Sequence, residues 1–371
     1  MATCALRSLL VSGALLWYPV CARAQSFTPL PTNLGTTRTT SLSSDGRYAS
    51  GNAGGSLFIL DRATGSISMH ALPASLTTAD ATGISDDGTT VVGGDGFGAF
   101  HFDTSTGFSS LPTSPGAVQV YEPTLSRDGS TAGYAQLIVQ PFVTQAAVSV
   151  NGSLTVLNTP ADTVFARAQS LSSDGLTAYG AVKQNTGGDQ WLTRWDTASN
   201  TYEQLVQIPG TDDDPDFFVS AVTPDGSVIV GETFTPEGFG FRWTPTEGLS
   251  IYDAPIAQRL RPRAITDDGL TTVGQQRLGP GLFQAVIANE TDFEPLIDML
   301  IRDYPQLADD LGGWSLTEAT GISGDGSVIS GYGIDPSGIQ RGWIVTIPAP
   351  TTPALLILSG LCITRRTRSY E

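Results

Sequence analysis

Short runs of apolar and β-branched residues, separated by glycine-containing turns, recur along the chain. Residues 221–223 and 227–230 are two such runs, and Pro224-Asp225-Gly226 separates them. β-branched runs on both sides of such a turn predict a β-hairpin. Because proline fixes φ at about −65°, a type I′ turn is excluded. We therefore expect a type I turn in which Gly226 takes the positive φ and forms a bulge.

The Asp-Gly turn occurs seven times, at intervals of 41 to 57 residues, and so defines seven sequence units. The turn aspartates are Asp45, Asp87, Asp128, Asp174, Asp225, Asp268 and Asp325. The glycines that follow them are Gly46, Gly88, Gly129, Gly175, Gly226, Gly269 and Gly326. A second glycine lies six residues after the aspartate in six units, and five residues after it in the third unit. We interpret these aspartates as turn-forming residues rather than metal ligands.

A second predicted hairpin follows in most units, beginning for example at Phe241-Arg242-Trp243. Four short strands per unit at this spacing predict the blade of a propeller, and seven units predict an all-β, seven-bladed β-propeller over residues 25–347. A β-solenoid is the alternative, although solenoid coils are usually shorter than these units.

The two ends of the repeat array predict a closed ring. The seventh unit ends at Trp343-Ile344-Val345 without a fourth strand. Residues 27–31, which precede the first unit, resemble residues 108–112, a fourth-strand sequence. We therefore expect the N-terminal segment to complete the last blade, so that no sheet edge stays open.

Residues 293–311, between units six and seven, depart from the β pattern. Leu296, Ile297, Leu300 and Ile301 recur at helical spacing. We expect a short helical insertion, one helix or a pair, packed on the ring as a structural element.

The N-terminus has the parts of a secretory signal peptide over residues 1–24. Arg7 precedes an apolar stretch over residues 9–20, and Ala22-Arg23-Ala24 precedes Gln25. A positive region, a short apolar region and an Ala-x-Ala site predict cleavage before Gln25 by signal peptidase, and export. A buried core helix is the alternative for this apolar stretch.

Residues 348–371 form a second terminal signal. Pro348-Ala349-Pro350 leads into an apolar segment at residues 353–363, and Arg365 and Arg366 follow. Such a segment is shorter than the roughly 20 residues of a membrane-spanning helix, and arginines after it mark the cytoplasmic side. This layout resembles the PEP-CTERM sorting signal of bacteria, with Ala349 where that motif has Glu. The resemblance implies transient membrane association and removal by an exosortase-type enzyme; an ordinary weak membrane anchor is the alternative.

The repeat itself resembles the HAF repeat of bacterial extracellular proteins. Residues 221–231, followed by Phe241-Arg242-Trp243, carry the resemblance, which extends over roughly residues 40–347. The His-Ala-Phe triplet of that family is present only in part, as Ala99-Phe100. The resemblance implies an extracellular, propeller-like domain and carries over no catalytic residue and no cofactor.

Charge and cysteine content narrow the functional classes. The 371 residues include 36 acidic and 19 basic side chains, a net charge of −17. Residues 25–347 keep 35 acids and 14 bases, so their net charge is −21. This acidity argues against a nucleic-acid partner, because no basic surface could cover phosphates. Cys4, Cys21 and Cys362 all lie in the terminal segments, so a hydrophobic core rather than disulfides must stabilise the domain.

Few residues are candidates for chemistry. His70 and His101 are the only histidines, and each lies on a predicted strand with no nucleophile motif nearby, so a strand-face position is favoured over a general base. The sequence contains no phosphate-binding loop, nucleophile elbow, zinc-protease or dinucleotide motif.

Two charged clusters remain. Asp212, Asp213, Asp214 and Asp216 could supply oxygen ligands to calcium, but their spacing differs from that of an EF-hand, so a solvated acidic loop is favoured. Arg259, Arg261 and Arg263 alternate onto one face of a predicted strand. A surface ion-pair patch opposite the acidic loop is favoured over contact with an anion or an acidic glycan.

Together these features predict an exported structural or interaction module at the bacterial surface or in the extracellular matrix, which contacts polysaccharide or a surface protein. The alternative is a carbohydrate-active enzyme, a glycosidase or lyase with its site at the propeller channel. Paired carboxylates on channel-facing strands would favour the enzyme, and no such pair stands out at equivalent strand positions in the sequence.

Overall fold

A computed structural model describes residues 25–74, 76, 80–94, 98–184, 190–208, 217–233, 239–252, 260–290 and 292–349, and the backbone of residues 4–11 and 14–21. Within the latter, β1 (Cys4–Val11) and β2 (Ala14–Cys21) pair antiparallel as a separate sheet. Several predicted positions lie outside the described residues: Ala22, Ala24, Asp212, Asp213, Asp214, Asp216, Arg259, Pro350, Arg365 and Arg366.

The rest of the described chain consists almost entirely of antiparallel β-sheets. The first strand, β3 (Ser26–Pro29), precedes the first sequence unit. The strands of units one and two are β4 (Thr37–Leu42), β5 (Tyr48–Ala53), β6 (Ser56–Asp61), β7 (Ser66–Ala71), β8 (Asp80–Ile84), β9 (Thr90–Gly94), β10 (Ala99–Asp103) and β11 (Gly107–Ser109). Those of units three and four are β12 (Ala117–Leu125), β13 (Thr131–Val139), β14 (Phe142–Val150), β15 (Ser153–Val156), β16 (Thr163–Leu171), β17 (Thr177–Gln184), β18 (Gln190–Asp196) and β19 (Thr201–Ile208).

The last three units complete the set. Their strands are β20 (Phe217–Val222), β21 (Ile229–Thr233), β22 (Gly240–Thr244), β23 (Gly248–Ile251), β24 (Leu260–Ile265), β25 (Thr271–Gly279), β26 (Leu282–Asn289), β27 (Asp292–Pro295), β28 (Ser315–Ile322), β29 (Val328–Ile334) and β30 (Gln340–Thr346). Consecutive strands of a unit pair antiparallel, as hairpins require.

The prediction of seven separate blades was wrong as a count of sheets. Within the described ranges, five blades are separate four-stranded sheets, whereas units three and four share one eight-stranded sheet. Its two antiparallel halves meet where β14 pairs in parallel with β16, through Thr144 and Phe165. Strands β12, β13, β14 and β16 have nine residues each, against five in β8, β9 and β10. Strand β25 also has nine residues and stays in a separate sheet, so strand length alone does not explain the joining.

The first strands of the units form the innermost ring of the propeller. Strand β4 contacts β8, and the same contact links each first strand to the next through β12, β16, β20, β24 and β28. Strand β28 contacts β4 in turn, which returns the ring to its start. These seven strands therefore surround a central channel, as in a β-propeller.

The N-terminal strand completes the last sheet, and this prediction is confirmed. Strand β3 pairs antiparallel with β30, with Phe27 opposite Val345. The Phe27 side chain is buried, and its ring lies 5.0 Å from that of Trp314 and 6.4 Å from that of Trp343. The ring is thus closed by residues from both ends of the repeat array.

Each Asp-Gly turn is built in the same way. In the seventh unit, the Ser323 hydroxyl donates to Asp325 Oδ1 at 2.7 Å, and the Ser327 N–H donates to the same oxygen at 2.9 Å. The Val328 N–H donates back to Ser323 Oγ at 2.9 Å. All seven glycines that follow the turn aspartates have φ between 68° and 75°, the left-handed region that glycine adopts without strain. The turn carboxylates therefore accept hydrogen bonds from within their own turns.

The helical insertion packs against the sixth and seventh units. It consists of α1 (Leu296–Asp303), a 3₁₀ turn (Pro305–Leu307) and α2 (Ala308–Leu311). Leu296, Leu300 and Leu307 are buried in one apolar cluster with Trp343. The predicted helical insertion is confirmed, although Phe293 belongs to β27. Among the described residues, none of the helices has the length and apolar content to cross a membrane.

Candidate functional site: the mouth of the central channel

The innermost strands line a cavity of about 420 Å³ at the end of the channel where these strands begin. A register shift interrupts the first strand of every unit at this level. The extra residue lies five positions before the turn aspartate in six units: Thr40, Thr82, Gln169, Ser220, Arg263 and Thr320. All six line the cavity. β-bulges commonly redirect side chains next to binding sites, and we call this cavity the channel mouth.

Several bulge residues also link neighbouring units. The Thr320 hydroxyl donates to the Thr39 carbonyl at 2.8 Å, and the Thr82 hydroxyl donates to the Pro123 carbonyl. Gln169 Oε1 accepts the Val219 N–H at 3.1 Å. The same side chains that line the channel mouth therefore fix the spacing between innermost strands.

An ionic cluster occupies one wall of the channel mouth. Arg263 Nε lies 2.6 Å from Glu318 Oε1, and Arg263 Nη1 lies 3.6 Å from Glu232 Oε1. The other Glu318 oxygen accepts the Tyr332 hydroxyl at 2.5 Å and the Gln275 amide at 3.2 Å. Burial lowers the pKa of Arg263, but the charges of Glu318 and Glu232 outweigh this and raise its pKa above the ordinary value. The cluster is thus internally paired.

Arg38 and Asp80 form a second, more open pair, with Arg38 Nη1 lying 3.9 Å from Asp80 Oδ2. The Arg38 guanidinium also lies over the Tyr332 ring, 4.9 Å from its centre, and donates to Gln340 Oε1 at 3.0 Å. Burial raises the pKa of Asp80; the Arg38 charge opposes this rise and the Glu318 charge adds to it. Asp80 and Glu318 therefore interact electrostatically within one cavity.

The third unit contributes a carboxylate on a strained backbone. Glu122 lies in the register shift of β12 and has φ of 51°, a left-handed conformation that is costly for a residue other than glycine. Its Oε1 atom lies 2.7 Å from Arg167 Nη1, and its Oε2 atom accepts the Gln169 amide at 3.2 Å. The strained conformation points this carboxylate into the channel mouth, which Glu122 lines.

At the opposite end of the channel, the residues that precede the turn aspartates form a ring of hydrogen bonds, which we call the channel floor. The backbone N–H groups of Gly324, Asp86 and Arg127 donate to the carbonyls of the next units, at 2.7, 2.7 and 3.1 Å. Asp267 N–H donates to the Gly324 carbonyl at 2.9 Å. Pro224 has no N–H to donate, and the Ser44 N–H donates to the Asp86 carboxylate instead of a carbonyl, so the backbone ring is incomplete.

An ion pair crosses the channel floor. The Arg127 guanidinium of unit three forms a two-fold hydrogen-bonded pair with the Asp267 carboxylate of unit six, and the Nη1–Oδ2 distance is 3.0 Å. The Asp267 carboxylate lies against Gly324, where a Cβ would come within 2.4 Å of it. Because units three and six are nearly opposite in the ring, the pair lies across the lumen.

The histidines lie away from the channel mouth. The His70 ring packs 4.4 Å from that of Phe102, and its Nε2 atom lies 3.1 Å from Ser68 Oγ. His101 lies in β10 beside Ser109, with Nδ1 3.5 Å from Ser109 Oγ. Burial lowers the pKa of both histidines. Within the described ranges, no group of three or more His, Cys, Asp or Glu side chains is arranged to hold a metal ion.

Two expectations about charged residues need correction. Arg263 does not belong to a surface patch: the register shift between Pro262 and Ala264 points it into the channel, where it pairs with Glu318 and Glu232. Arg261 also pairs with Glu232, at 3.1 Å. In addition, Asp80 and Glu318 do lie at equivalent strand positions, seven residues before their turn aspartates. This carboxylate pair can be found in the sequence by aligning the units on their turn aspartates.

The comparisons with known proteins define the class of fold. The chain is similar to the β-propeller domain of Cps50 (Swd1) from Myceliophteria thermophila, with 12% identity, 87% and 100% of the two chains covered, and a TM-score of 0.54. It is similar to oligogalacturonate lyase from Vibrio parahaemolyticus, with 10% identity, coverage of 93% and 97%, and a TM-score of 0.54. It is also similar to virginiamycin B lyase from Staphylococcus aureus, with 15% identity, coverage of 87% and 99%, and a TM-score of 0.52.

At these identities the likeness establishes an all-β propeller fold and nothing about activity. No protein-family model matches the chain. No curated protein matches it either.

Proposed function

We propose that the protein is an exported, non-catalytic interaction module of the bacterial surface or extracellular matrix, and that it binds polysaccharide at the channel mouth. The composition of the channel mouth carries this proposal. Hydroxyl and amide side chains, two aromatic rings and internally paired charges line a concave site of about 420 Å³, within the range of ligand pockets. The half-exposed Arg38 and Asp80 side chains of this lining can donate and accept hydrogen bonds with sugar hydroxyl groups.

The pairing of charges favours binding over catalysis. Arg263 is held by Glu318 and Glu232, and Arg38 lies beside Asp80. The lining contains two arginines and three carboxylates, so its formal charge is −1. An acidic polymer would be repelled by this charge and by the net charge of −21 on residues 25–347. A neutral polysaccharide is therefore the preferred partner, ahead of an acidic one.

Export and sorting rest on the terminal sequences. Cleavage before Gln25 by signal peptidase, and removal of the tail after the Pro348-Ala349-Pro350 motif by an exosortase-type enzyme, would leave the propeller as the mature domain. In this proposal the eight-stranded sheet counts as two blades, because its halves meet at one bridge only, so that the mature ring has seven.

Two measurements test the proposal. Mass spectrometry of the chain exported from a bacterial host should give a mature protein that begins at Gln25; an uncleaved cytoplasmic precursor would contradict export. The purified exported chain should then bind neutral glycans on an array, with loss of signal in Phe218→Ala and retained signal in the matched control Phe142→Ala, since Phe142 is 75% exposed. If the exported chain bound a surface protein and gave no signal on the glycan array, its partner would be a protein rather than a polysaccharide.

A glycosidase is the second candidate, and the carboxylates Asp80 and Glu318 are the observation that favours it. Burial and the Glu318 charge raise the pKa of Asp80, as expected of a carboxyl group that acts as a general acid beside an ionised partner. Reducing-sugar release from the neutral glycans that bind, abolished in Asp80→Asn, would establish this function. Unchanged glycans after prolonged incubation would exclude it for those substrates.

A further inference from the structure

We propose that the channel is open to ligands at the mouth alone and that it binds the end of a neutral glycan chain rather than an internal segment. This inference rests on the proposed function, because it specifies which part of the polysaccharide enters the site. Three observations support it: the closed channel floor, the short distance between floor and mouth, and the chemistry of the mouth.

The channel floor blocks passage along the propeller axis. The Arg127–Asp267 pair crosses the lumen between nearly opposite units. Around it, four backbone hydrogen bonds of 2.7 to 3.1 Å join the residues before the turn aspartates, linking units two, three and four and units six, seven and one. The Ser44 N–H and hydroxyl add two bonds to the Asp86 carboxylate, at 2.8 and 2.6 Å. A sugar chain that enters at the mouth cannot leave through this end.

The site is shallow. The bulge residues of the mouth precede the floor residues by four positions in each unit, and each innermost strand ends two residues before its floor residue. At about 3.3 Å per residue for an extended chain, the floor lies at most roughly 13 Å below the mouth. A smaller cavity of about 180 Å³, lined by Ser44, Asp86 and Arg127 among others, occupies the space between them. The depth suits a few sugar rings at most.

The mouth offers hydrogen-bonding groups to a ligand that carries no charge. Arg38 and Asp80 line the cavity with side chains that are 42% and 50% exposed, so their donor and acceptor atoms are accessible to a ligand. Phe218 and Tyr332 lie in the same lining and provide apolar ring surface. Polar side chains beside aromatic rings match the alternating polar and apolar surfaces of a sugar ring. The paired arginines leave the cavity without excess positive charge for uronic acids.

A comparison of short chains with long chains tests the inference. Maltohexaose, laminarihexaose and mannohexaose, and the corresponding long linear polymers, would be titrated against the exported chain by calorimetry at equal mass concentration. If the site binds chain ends, each polymer should bind more weakly per unit mass than the hexaose of the same glycan. The difference should be roughly the ratio of the two chain lengths. Equal or tighter binding of the polymer per unit mass would overturn the inference, because internal segments would then be bound.

Variants at both ends of the channel sharpen this test. Phe218→Ala and Asp80→Ala should each weaken hexaose binding, about tenfold for the aromatic residue, whereas Phe142→Ala should not. Asp80→Ala removes a half-exposed carboxylate of the cavity lining, so it probes the site even where Phe218→Ala does not fold. The double variant Arg127→Ala and Asp267→Ala should keep hexaose affinity and reduce the difference between hexaose and polymer.

The outcomes separate this inference from the proposed function. Hexaose affinity unchanged in both mouth variants, or no binding of any of the three hexaoses, would overturn the inference. If the exported chain still bound glycans on the array in that case, the proposed function would stand and the site would lie elsewhere. Absence of glycan binding in every format would overturn both.

Discussion

Gly331 lies directly against the carbonyl oxygen of Glu318, so closely that a Cβ on Gly331 would be 2.1 Å from that oxygen. The same contact recurs in five other units, between the second glycine of the unit and the carbonyl seven residues before the turn aspartate, at 1.9 to 2.3 Å. The five pairs are Gly51 with Arg38, Gly93 with Asp80, Gly180 with Arg167, Gly231 with Phe218 and Gly274 with Arg261. The repeated glycine thus allows the second strand of a unit to approach the segment of the first strand that carries the channel residues.

Gly331→Ala should destabilise the protein by about 1–3 kcal/mol, because the methyl group must displace the backbone at Glu318. Chemical denaturation of wild type and variant would measure this difference. Gly279→Ala is the matched control: Gly279 also lies in a strand, but the nearest atom to its Cβ position is 3.9 Å away. Equal stability of the two variants would show that the close approach is not required.

Glu318→Gln and Arg263→Met should each lower stability, because either change removes a charged partner from a partly buried ion pair. Since both remove the same interaction, the double variant should be less destabilised than the sum of the single variants, with a coupling energy on the order of 0.5–3 kcal/mol. Denaturation of the four proteins of this cycle measures it. The exposed pair Arg302–Glu294 is the control and should couple by less than about 1 kcal/mol. Additive effects at Arg263 and Glu318 would contradict the prediction.

The local structure of the repeat could be read from the sequence. Pro224-Asp225-Gly226 specifies its turn through the fixed φ of proline and the positive φ of glycine, which is 71° at Gly226. The apolar match between residues 27–31 and a fourth-strand sequence was sufficient to predict the pairing of β3 with β30. These features depend on neighbouring residues or on one repeated pattern.

Only part of the channel could be predicted from the sequence. Asp80 and Glu318 are visible once the units are aligned on their turn aspartates, but the bulge that points Arg263 inward arises from strand pairing. The Arg127–Asp267 pair joins residues 140 positions apart and exists only because the ring closes. The joining of units three and four likewise depends on where long strands meet, at Thr144 and Phe165. Such features follow from tertiary geometry rather than from local sequence.

Removal of the closing strand should destabilise the ring. Deletion of residues 25–33 should lower the melting temperature substantially, because β30 would become an open edge and the aromatic contacts of Phe27 would be lost. Phe27→Ala alone should cost about 3–5 kcal/mol, as for other buried Phe residues. Phe142→Ala, at a 75% exposed site, should change stability by less than about 0.5 kcal/mol. A melting temperature unchanged by the deletion would contradict closure by β3.

Asp335 connects this closing strand to the pH dependence of stability. Its Oδ1 atom accepts the Ser337 hydroxyl at 2.6 Å and the Ile339 N–H at 3.0 Å, and its Oδ2 atom accepts Arg341 Nε at 2.9 Å. Arg341 in turn donates to the Pro31 carbonyl at 3.2 Å, just after β3. The Ser337 hydroxyl, the Ile339 N–H and Arg341 hold the pKa of Asp335 well below its ordinary 3.8.

Because the folded state favours the ionised form of Asp335, its contribution to stability is complete above about pH 4 and is lost as the pH falls further. Asp335→Asn should therefore melt at a lower temperature than wild type at pH 7, and the difference should shrink on acidification below pH 4. Melting curves of both proteins from pH 7 downward measure this trend. Asp310→Asn, at an exposed position of α2, is the control and should follow wild type throughout. A difference between Asp335→Asn and wild type that stays constant into the acid range would show that Asp335 stabilises the fold without its charge.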